Sequence, residues 1–325
     1  LLEDAHQRCA LLSDMSSASS IVALLSSANM TTQQNAANVL AVLSQERTAR
    51  EVLYRHGTLS HVVRSLSAAD ARSDEDAAAG ASRVSMLRVV SAFAADDRYT
   101  NMLRTAIQPL VAQLASSDDE AVRHAATAVM SLSRSEPNRD ALREAGTLRR
   151  VLHLLLHANN DVQEAAVQCV ANLGVDSTQA IVFLRSGWHL PLISLLSSDC
   201  VDTTAAAAAV LGNLASSHDF RVALMADGAL QPILQLLHAA SLPSRTAAVR
   251  ALAIMAQQLT STSASGDATA TELVDAIFET AAMPKLLAVL KEPGADAQPL
   301  AHSLAGPGLG APQATGGLLA TAESQ

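Results

Sequence analysis

The sequence contains few aromatic residues and few cysteines. Phe, Trp and Tyr together make up 2% of its 325 residues, and the single tryptophan is Trp188. A core built from Ala, Leu and Val side chains suits helices that pack closely against one another. Cys9, Cys169 and Cys200 are far apart and form no CxxC pair. A disulfide framework is therefore not expected, and a reducing compartment is.

The sequence also lacks a secretory leader and a long uncharged apolar run. We therefore expect neither export nor a transmembrane helix, and predict a cytoplasmic protein with nuclear or cytoskeletal association as further options. The chain starts at Leu1 rather than at Met, as a piece of a longer protein would. Its 22 basic and 31 acidic residues give a net charge of −9, which disfavours binding to nucleic acid or to an anionic membrane.

A repeated pattern of glycine turns and apolar helices is the main positive feature. The clearest copy covers residues 141–174, where Gly146 precedes one apolar stripe at helical spacing and an Ala-rich second stripe follows. Gly187 and Gly228 stand at equivalent turns, each 41 residues after the one before. Alignment on these turns predicts repeats that start near residues 16, 57, 105, 146, 187 and 228.

Each regular unit is predicted to contain three helices. In the copy around Gly146 they run over 138–145, 148–157 and 161–173, with Asn138 and Asp161 as N-caps. Gly146 suits the left-handed residue that ends the first helix. The expected core faces are Leu148, Val151, Leu152, Leu155 and Leu156, then Val162, Ala165, Ala166, Cys169 and Leu173, and Leu214 in the next unit. Because no unit alone can bury both faces, the prediction is an all-α solenoid of about six to seven three-helix repeats.

The repeat array is predicted to cover residues 1–260. An acidic, Ala-rich insertion at about 68–82 is expected to be a solvated loop between two helices. Residues 261–270 are predicted to be a flexible linker and 271–291 a pair of capping helices. Residues 292–325 contain much Pro and Gly without apolar periodicity, so a disordered tail is expected there.

The turn and the third helix resemble the armadillo repeat. The segments ALREAGTLRRVLHLLLH and VALMADGALQPILQLLH have the pattern of its turn, and VQCVANL and AAVLGNL that of its third helix. The resemblance covers about residues 1–291 and is strongest at 137–256. It implies a right-handed superhelix whose third helices line a concave groove that commonly holds an extended peptide.

The same resemblance implies a position for peptide binding on each third helix. In this family an Asn near the end of that helix often bonds the peptide backbone, and Asn172 and Asn213 occupy the position here. The other units hold Val42, Ala92, Ser131 and Ile254. Import receptors for basic peptides carry a Trp four residues earlier, which this chain replaces by Asn38, Arg88, Thr127, Gln168, Ala209 and Arg250. Such a receptor is therefore disfavoured.

The groove is expected to be lined by polar residues on the open face of the third helices. These residues are Asn38, Arg88, Arg123, Thr127, Ser131, Gln168, Asn172, Asn213 and Arg250. The arginines could bind the carboxylate or phosphate groups of an acidic partner. Arginines scattered over the surface are the alternative interpretation, since Arg is the general cation of this chain and its only lysines are Lys285 and Lys291.

No feature of the sequence predicts a cofactor, a metal or catalysis. His153 and His157 have the spacing of two ligands on one helix, but no Glu follows His153 and an apolar stripe separates the two. His157 is better explained by the helix dipole at a helix end. Neither a nucleophile elbow nor a phosphate-binding loop occurs in the sequence, so an enzyme is not expected.

The sequence therefore predicts a noncatalytic protein-protein interaction scaffold that binds an extended partner segment. Nucleic acid, membrane and small-molecule ligands are not expected. Two alternatives remain open at this point. One is a structural component of a cytoskeletal or ciliary assembly, bound through other surfaces, and the other is the substrate-recognition array of a ubiquitin ligase whose further domains lie elsewhere.

Overall fold

The computed structural model describes residues 15–69, 77–175 and 178–262. These ranges consist of α-helices joined by short turns and contain no strand. The helices are α1 (Met15–Leu24), α2 (Met30–Leu43), α3 (Arg47–Arg55), α4 (Thr58–Ala69), α5 (Ala77–Ala94), α6 (Asp97–Thr100), α7 (Ile107–Gln113), α8 (Asp119–Ser133), α9 (Glu136–Glu144), α10 (Thr147–Leu154), α11 (Asn160–Leu173), α12 (Ala180–Ser186), α13 (His189–Leu195), α14 (Val201–Leu214), α15 (His218–Ala226), α16 (Leu230–Leu236) and α17 (Leu242–Thr262). A 3-10 helix, Asn101–Ala106, joins α6 to α7.

The predicted glycine turns separate the first and second helices of the repeats. Gly57, Gly146, Gly187 and Gly228 have φ values of 73°, 69°, 70° and 75°. This left-handed conformation is open to glycine at little cost, so each glycine can end one helix and start the next within two residues. The predicted helix trio and the 41-residue spacing are confirmed in α9–α11, α12–α14 and α15–α17.

The third helices of successive repeats pack against one another in a continuous row, namely α2, α5, α8, α11, α14 and α17. A very close approach occurs between α14 and α17. A Cβ atom placed on Gly212 would lie 2.8 Å from Cα and 2.9 Å from Cβ of Ala251. The Ala-rich sequence of both helices permits this approach because small side chains let two backbones come together.

A single hydrophobic core runs along this row from Ala18 to Met255. The predicted third-helix face of α11 is buried, as are Leu155 and Leu214. The prediction that Leu156 belongs to the core is wrong, since 70% of its surface is exposed. The helix α10 ends at Leu154, so Leu156 lies beyond the helix whose periodicity was used to place it in the core.

The two predicted N-caps are also wrong. Asn159 caps α11, and its Oδ1 accepts a hydrogen bond from the backbone N–H of Asp161 at 2.8 Å. Asn138 lies inside α9, where it is fully buried, and its Nδ2 donates to the carbonyl oxygen of Thr100 at 2.9 Å. Asn and Asp are both good caps, so two candidates a residue or two apart cannot be separated from sequence alone.

The insertion predicted at about 68–82 is largely helical at its ends. The helix α4 extends to Ala69 and α5 begins at Ala77, so only residues 70–76 separate them, and these lie outside the described ranges. Alanine has the highest helix propensity, which explains why the Ala-rich end of the insertion extends α5. Ser82 and Arg83 are already buried against neighbouring helices.

Several predictions fall on residues outside the described ranges. These are the start of the array at 1–14, the capping helices at 271–291 and the tail at 292–325. The predicted linker at 261–270 begins inside α17, which continues to Thr262. No helix in the described ranges is both long enough and apolar enough to cross a membrane.

Candidate functional site

Six equivalent positions, one on each third helix, form a row across the repeats. This groove row consists of Asn38, Arg88, Thr127, Gln168, Ala209 and Arg250. Successive third helices pack side by side, and the axes of helices packed in this way are usually about 8–10 Å apart. Neighbouring positions of the row are therefore spaced by about one helix. Asn38 and Arg250 are exposed, and the other four residues are half-buried. The groove row is therefore the accessible side of the packed third helices.

The two predicted peptide-binding asparagines differ in their surroundings. Asn172 donates from Nδ2 to Ser133 Oγ on α8 at 3.0 Å, so part of its amide joins two repeats. The amide of Asn213 makes no hydrogen bond within the described ranges, and this residue is half-buried. The amide of Asn213 thus has both its donor and its acceptor groups free, whereas that of Asn172 has its acceptor and one of its two N–H donors free.

Ser131 does not lie on the open face as predicted. It occupies the position on its third helix that is equivalent to those of Asn172 and Asn213, but only 6% of its surface is exposed. Ala92 in the preceding repeat is also buried. Side chains this small at this position are covered by the adjacent third helices, whereas the longer Asn side chains reach past them.

Thr127 and Gln168 in the groove row, and Arg123 one helical turn before Thr127, are held by local contacts. Arg123 Nη2 lies 3.3 Å from Glu120 Oε1 and 3.1 Å from His124 Nε2. Thr127 Oγ1 donates to the carbonyl oxygen of Arg123 at 2.9 Å. Gln168 Nε2 donates to Glu164 Oε1 at 3.2 Å. These side chains face the groove but have fewer free groups than their sequence suggests.

Arg88 and Arg250 differ from Arg123 in having no such contact. Neither guanidinium group makes a hydrogen bond or an ion pair with any residue in the described part of the chain. Arg88 and Asn38 line a pocket of about 550 Å³ between α2, α5 and the turn that precedes α8. The opposite wall of the pocket contains Asp118 and Glu120.

His124 is a residue near this pocket that the sequence did not single out. Burial and, after it, the charges of Arg123 and Arg88 together lower its pKa to about 4, although Glu120 opposes them. The imidazole is therefore neutral at physiological pH. Its position beside Arg123 follows directly from the sequence, but its burial and the influence of Arg88 depend on how α5 and α8 pack.

The two histidines with metal-ligand spacing and the buried cysteine of α11 have structural surroundings. His153 packs edge-on against Trp188 with 5.8 Å between ring centroids. His157 Nδ1 accepts from the backbone N–H of Asn159 at 3.1 Å, and its Nε2 lies 3.5 Å from Asp119. Burial raises the pKa of the Cys169 thiol to about 12, so this group is not a thiolate nucleophile. The described ranges contain no group of three or more His, Cys, Asp or Glu residues placed to hold a metal ion.

Comparison with known protein families and sequences gives one family match and two related proteins. The Armadillo/beta-catenin-like repeat model matches residues 135–175, which contain α9, α10 and α11. A 115-residue stretch is 31% identical to Vacuolar protein 8 of Schizosaccharomyces pombe and covers 35% of this chain and 21% of that protein. A 112-residue stretch is 32% identical to Vacuolar protein 8 of Yarrowia lipolytica, with 34% and 20% covered. The chain spans about a fifth of the length of these relatives.

Comparison with solved structures extends the match to most of the chain. An engineered protein aligns with a TM-score of 0.66 at 21% identity, over 92% of this chain and 80% of its own. A designed armadillo repeat protein has a TM-score of 0.59 at 22% identity, with 73% and 99% covered. A second one, in complex with the peptide (KR)4, has a TM-score of 0.56 at 23% identity, with 73% and 98% covered. These structures share the fold of consecutive three-helix repeats, so the chain has the fold of an armadillo-type α-solenoid, and one of its repeats, at residues 135–175, matches the armadillo repeat model.

Proposed function

We propose that this armadillo array binds an extended segment of a partner protein along the groove row and catalyses no reaction on it. The observation that supports the proposal is the accessibility of all six positions of the row, combined with polar groups that the fold does not satisfy. Arg88, Asn213 and Arg250 have no side-chain partner in the described ranges. Polar groups on a concave surface that remain available in this way can bond an extended backbone or its side chains.

The charges of the row favour an acidic or mixed partner segment. The peptide (KR)4 is bound by one designed armadillo repeat protein of similar fold. In this chain two positions of the groove row are occupied by arginines without a partner, which would repel such a basic peptide. We therefore propose that the partner segment carries acidic or phosphorylated residues. The thiols of Cys169 and Cys200 are free, as suits a reducing compartment, and we propose the cytoplasm as the place of binding.

A second candidate function is assembly through the first helices. Ile181 and Val182 on α12 and Val222 on α15 are exposed apolar residues, and α12 packs beside α15. Apolar side chains on adjacent helices can form a contact surface for a structural assembly, as the cytoskeletal or ciliary alternative requires. No feature of the described ranges favours the ubiquitin-ligase alternative.

Affinity purification from the source cells with three forms of the array distinguishes the two candidates. The groove variant carries Arg88→Glu and Arg250→Glu, and the first-helix variant carries Val182→Ser and Val222→Ser. All four side chains are exposed or half-buried, so both variants should keep the circular dichroism spectrum of the wild type. We expect partners retained by the wild type to be lost from the groove variant alone. Loss of these partners from the first-helix variant alone would contradict groove binding and favour assembly through the first helices.

A further inference from the structure

The pocket between α2, α5 and α8 contains an excess of unused hydrogen-bond donors on one wall. Arg88 offers a guanidinium group without a partner in the described ranges. Asn38 Oδ1 accepts a hydrogen bond from Ser85 Oγ, which fixes the amide and leaves both N–H groups of Nδ2 free. Ser85 Oγ also lies 3.1 Å from the carbonyl oxygen of Ala81, so the hydroxyl is positioned against α5. Arg88 and Asn38 thus supply donors from two adjacent third helices to one open pocket.

The acidic residues on the opposite wall are already engaged. Asp118 caps α8, and its Oδ1 accepts from the backbone N–H groups of Glu120 and Ala121 at 2.9 and 3.3 Å. Glu120 is paired with Arg123 at 3.3 Å. The positive end of the α8 dipole and the Arg123 guanidinium offset these two carboxylates. The charge of Arg88 is left without a counterion in the described ranges.

The arrangement suits an anionic group with several acceptor oxygens. A guanidinium group binds a carboxylate or a phosphate through two parallel N–H donors, and an adjacent amide can donate to a further oxygen. The pocket volume of about 550 Å³ exceeds what one such group needs, and it opens onto the groove row. A side chain of a bound segment can therefore enter while its backbone remains in the groove.

We propose that this pocket is an oxyanion subsite in which Arg88 and Asn38 bind the carboxylate or phosphate group of one acidic side chain of the partner segment. This inference rests on the proposed binding of a segment along the groove row. It assigns selectivity to the N-terminal repeats, whereas Asn213 and Arg250 lie three or more repeats further along the array. His124 stays neutral beside the subsite and adds no charge to it.

Binding of four degenerate peptide libraries tests the subsite. Each library consists of fluorescent twelve-residue peptides with one fixed central residue, which is phosphoserine, Glu, Ser or Lys. Fluorescence polarisation is measured with the wild type, with Arg88→Gln and with Arg250→Gln. Arg250 provides the matched control because it belongs to the same row, has no partner in the described ranges and lies outside the pocket.

We expect the wild type to bind the phosphoserine or Glu library about tenfold or more tightly than the Ser and Lys libraries. This preference should weaken with added salt and disappear in Arg88→Gln, while Arg250→Gln retains it. The stronger of the two acidic libraries identifies phosphate or carboxylate as the ligand.

Three outcomes would overturn the inference in different ways. Equal binding of all four libraries by the wild type would reject the oxyanion subsite and leave groove binding intact. Binding of no library would reject the proposed function and the subsite together. Preference for the Lys library would assign the pocket to Asp118 and Glu120 instead of Arg88.

Discussion

Leu155 and Leu156 are adjacent in the sequence but have opposite surroundings. Leu155 is 1% exposed and Leu156 is 70% exposed, because α10 ends just before them. Replacement of Leu155 or of the fully buried Leu214 by Ala should lower the free energy of unfolding by about 2–5 kcal/mol through lost contacts and cavity formation. Leu156→Ala is the matched control and should change it by less than about 0.5 kcal/mol. Urea unfolding of the three variants measures these values, and a cost for Leu156 similar to that for Leu155 would contradict the repeat register.

Asp96 contributes a pH-dependent part of the stability. It caps α6 and accepts hydrogen bonds from Arg98 at 2.7 and 3.0 Å, while Arg50 lies 3.7 Å away. The hydrogen bonds from Arg98, and then the charges of Arg98 and Arg50, hold the pKa of this carboxyl well below its usual range, although burial opposes them. A carboxyl group with a lowered pKa stabilises the fold above its unfolded pKa of about 3.9. This stabilisation is lost as the pH falls toward the folded pKa.

The variant Asp96→Asn should therefore be less stable than the wild type at neutral pH. The difference should narrow as the pH falls below about 4, since Asp96 is then protonated in the unfolded chain while it is still ionised in the folded protein, which favours unfolding of the wild type. Asparagine is itself a good N-cap, so the substitution removes the charge and keeps the cap. Urea unfolding of both proteins between about pH 7 and pH 3 provides the measurement. A difference that is constant over this range would show that the charge of Asp96 contributes nothing.

The helices were predictable where glycine and apolar periodicity agree. Gly146, Gly187 and Gly228 mark their turns because a left-handed residue is required there, and this requirement depends on local backbone geometry alone. The N-caps and the insertion were not predictable in the same way. The extension of α5 to Ala77 follows from the helix propensity of alanine, which the prediction of a loop did not take into account. Asn138, by contrast, makes a buried contact with Thr100 of the preceding repeat. Such contacts between repeats leave no periodic signal in the sequence.

The contact between α14 and α17 gives a prediction at the level of these elements. Gly212→Ala would place a Cβ atom 2.8 Å from the backbone of Ala251, so the two helices must separate. We expect a loss of about 1–3 kcal/mol in the free energy of unfolding, the usual cost of overpacking. Gly80→Ala is the matched control, since Gly80 is also within a third helix but has open space around it. It should leave stability unchanged or raise it by up to about 1 kcal/mol through helix propensity. Equal effects of the two substitutions in thermal unfolding would contradict this close approach.

For the molecule as a whole, the repeat alignment was sufficient to predict which positions recur on successive third helices, but not which of their side chains are free. The positions of Arg88, Gln168 and Arg250 follow from the repeat alignment, which is a one-dimensional property. Whether a guanidinium group is paired depends on neighbours in three dimensions, as the contrast between Arg123 and Arg88 shows. The pocket beside Arg88 combines residues of three repeats, so no single stretch of sequence contains it.

The central claim is that a partner lies along the groove row, and site-specific photocrosslinking tests it most directly. A photoreactive phenylalanine derivative is placed at Ala209 in the groove row, or at Val182 on the first helix α12, in the source cells. Ala209 is partly accessible and carries no group that is proposed to bind the partner, and Val182 is 51% exposed. We predict crosslinks to a partner protein from Ala209 and none from Val182 after irradiation. Crosslinks from Val182 alone would contradict groove binding and assign the interaction to the first helices.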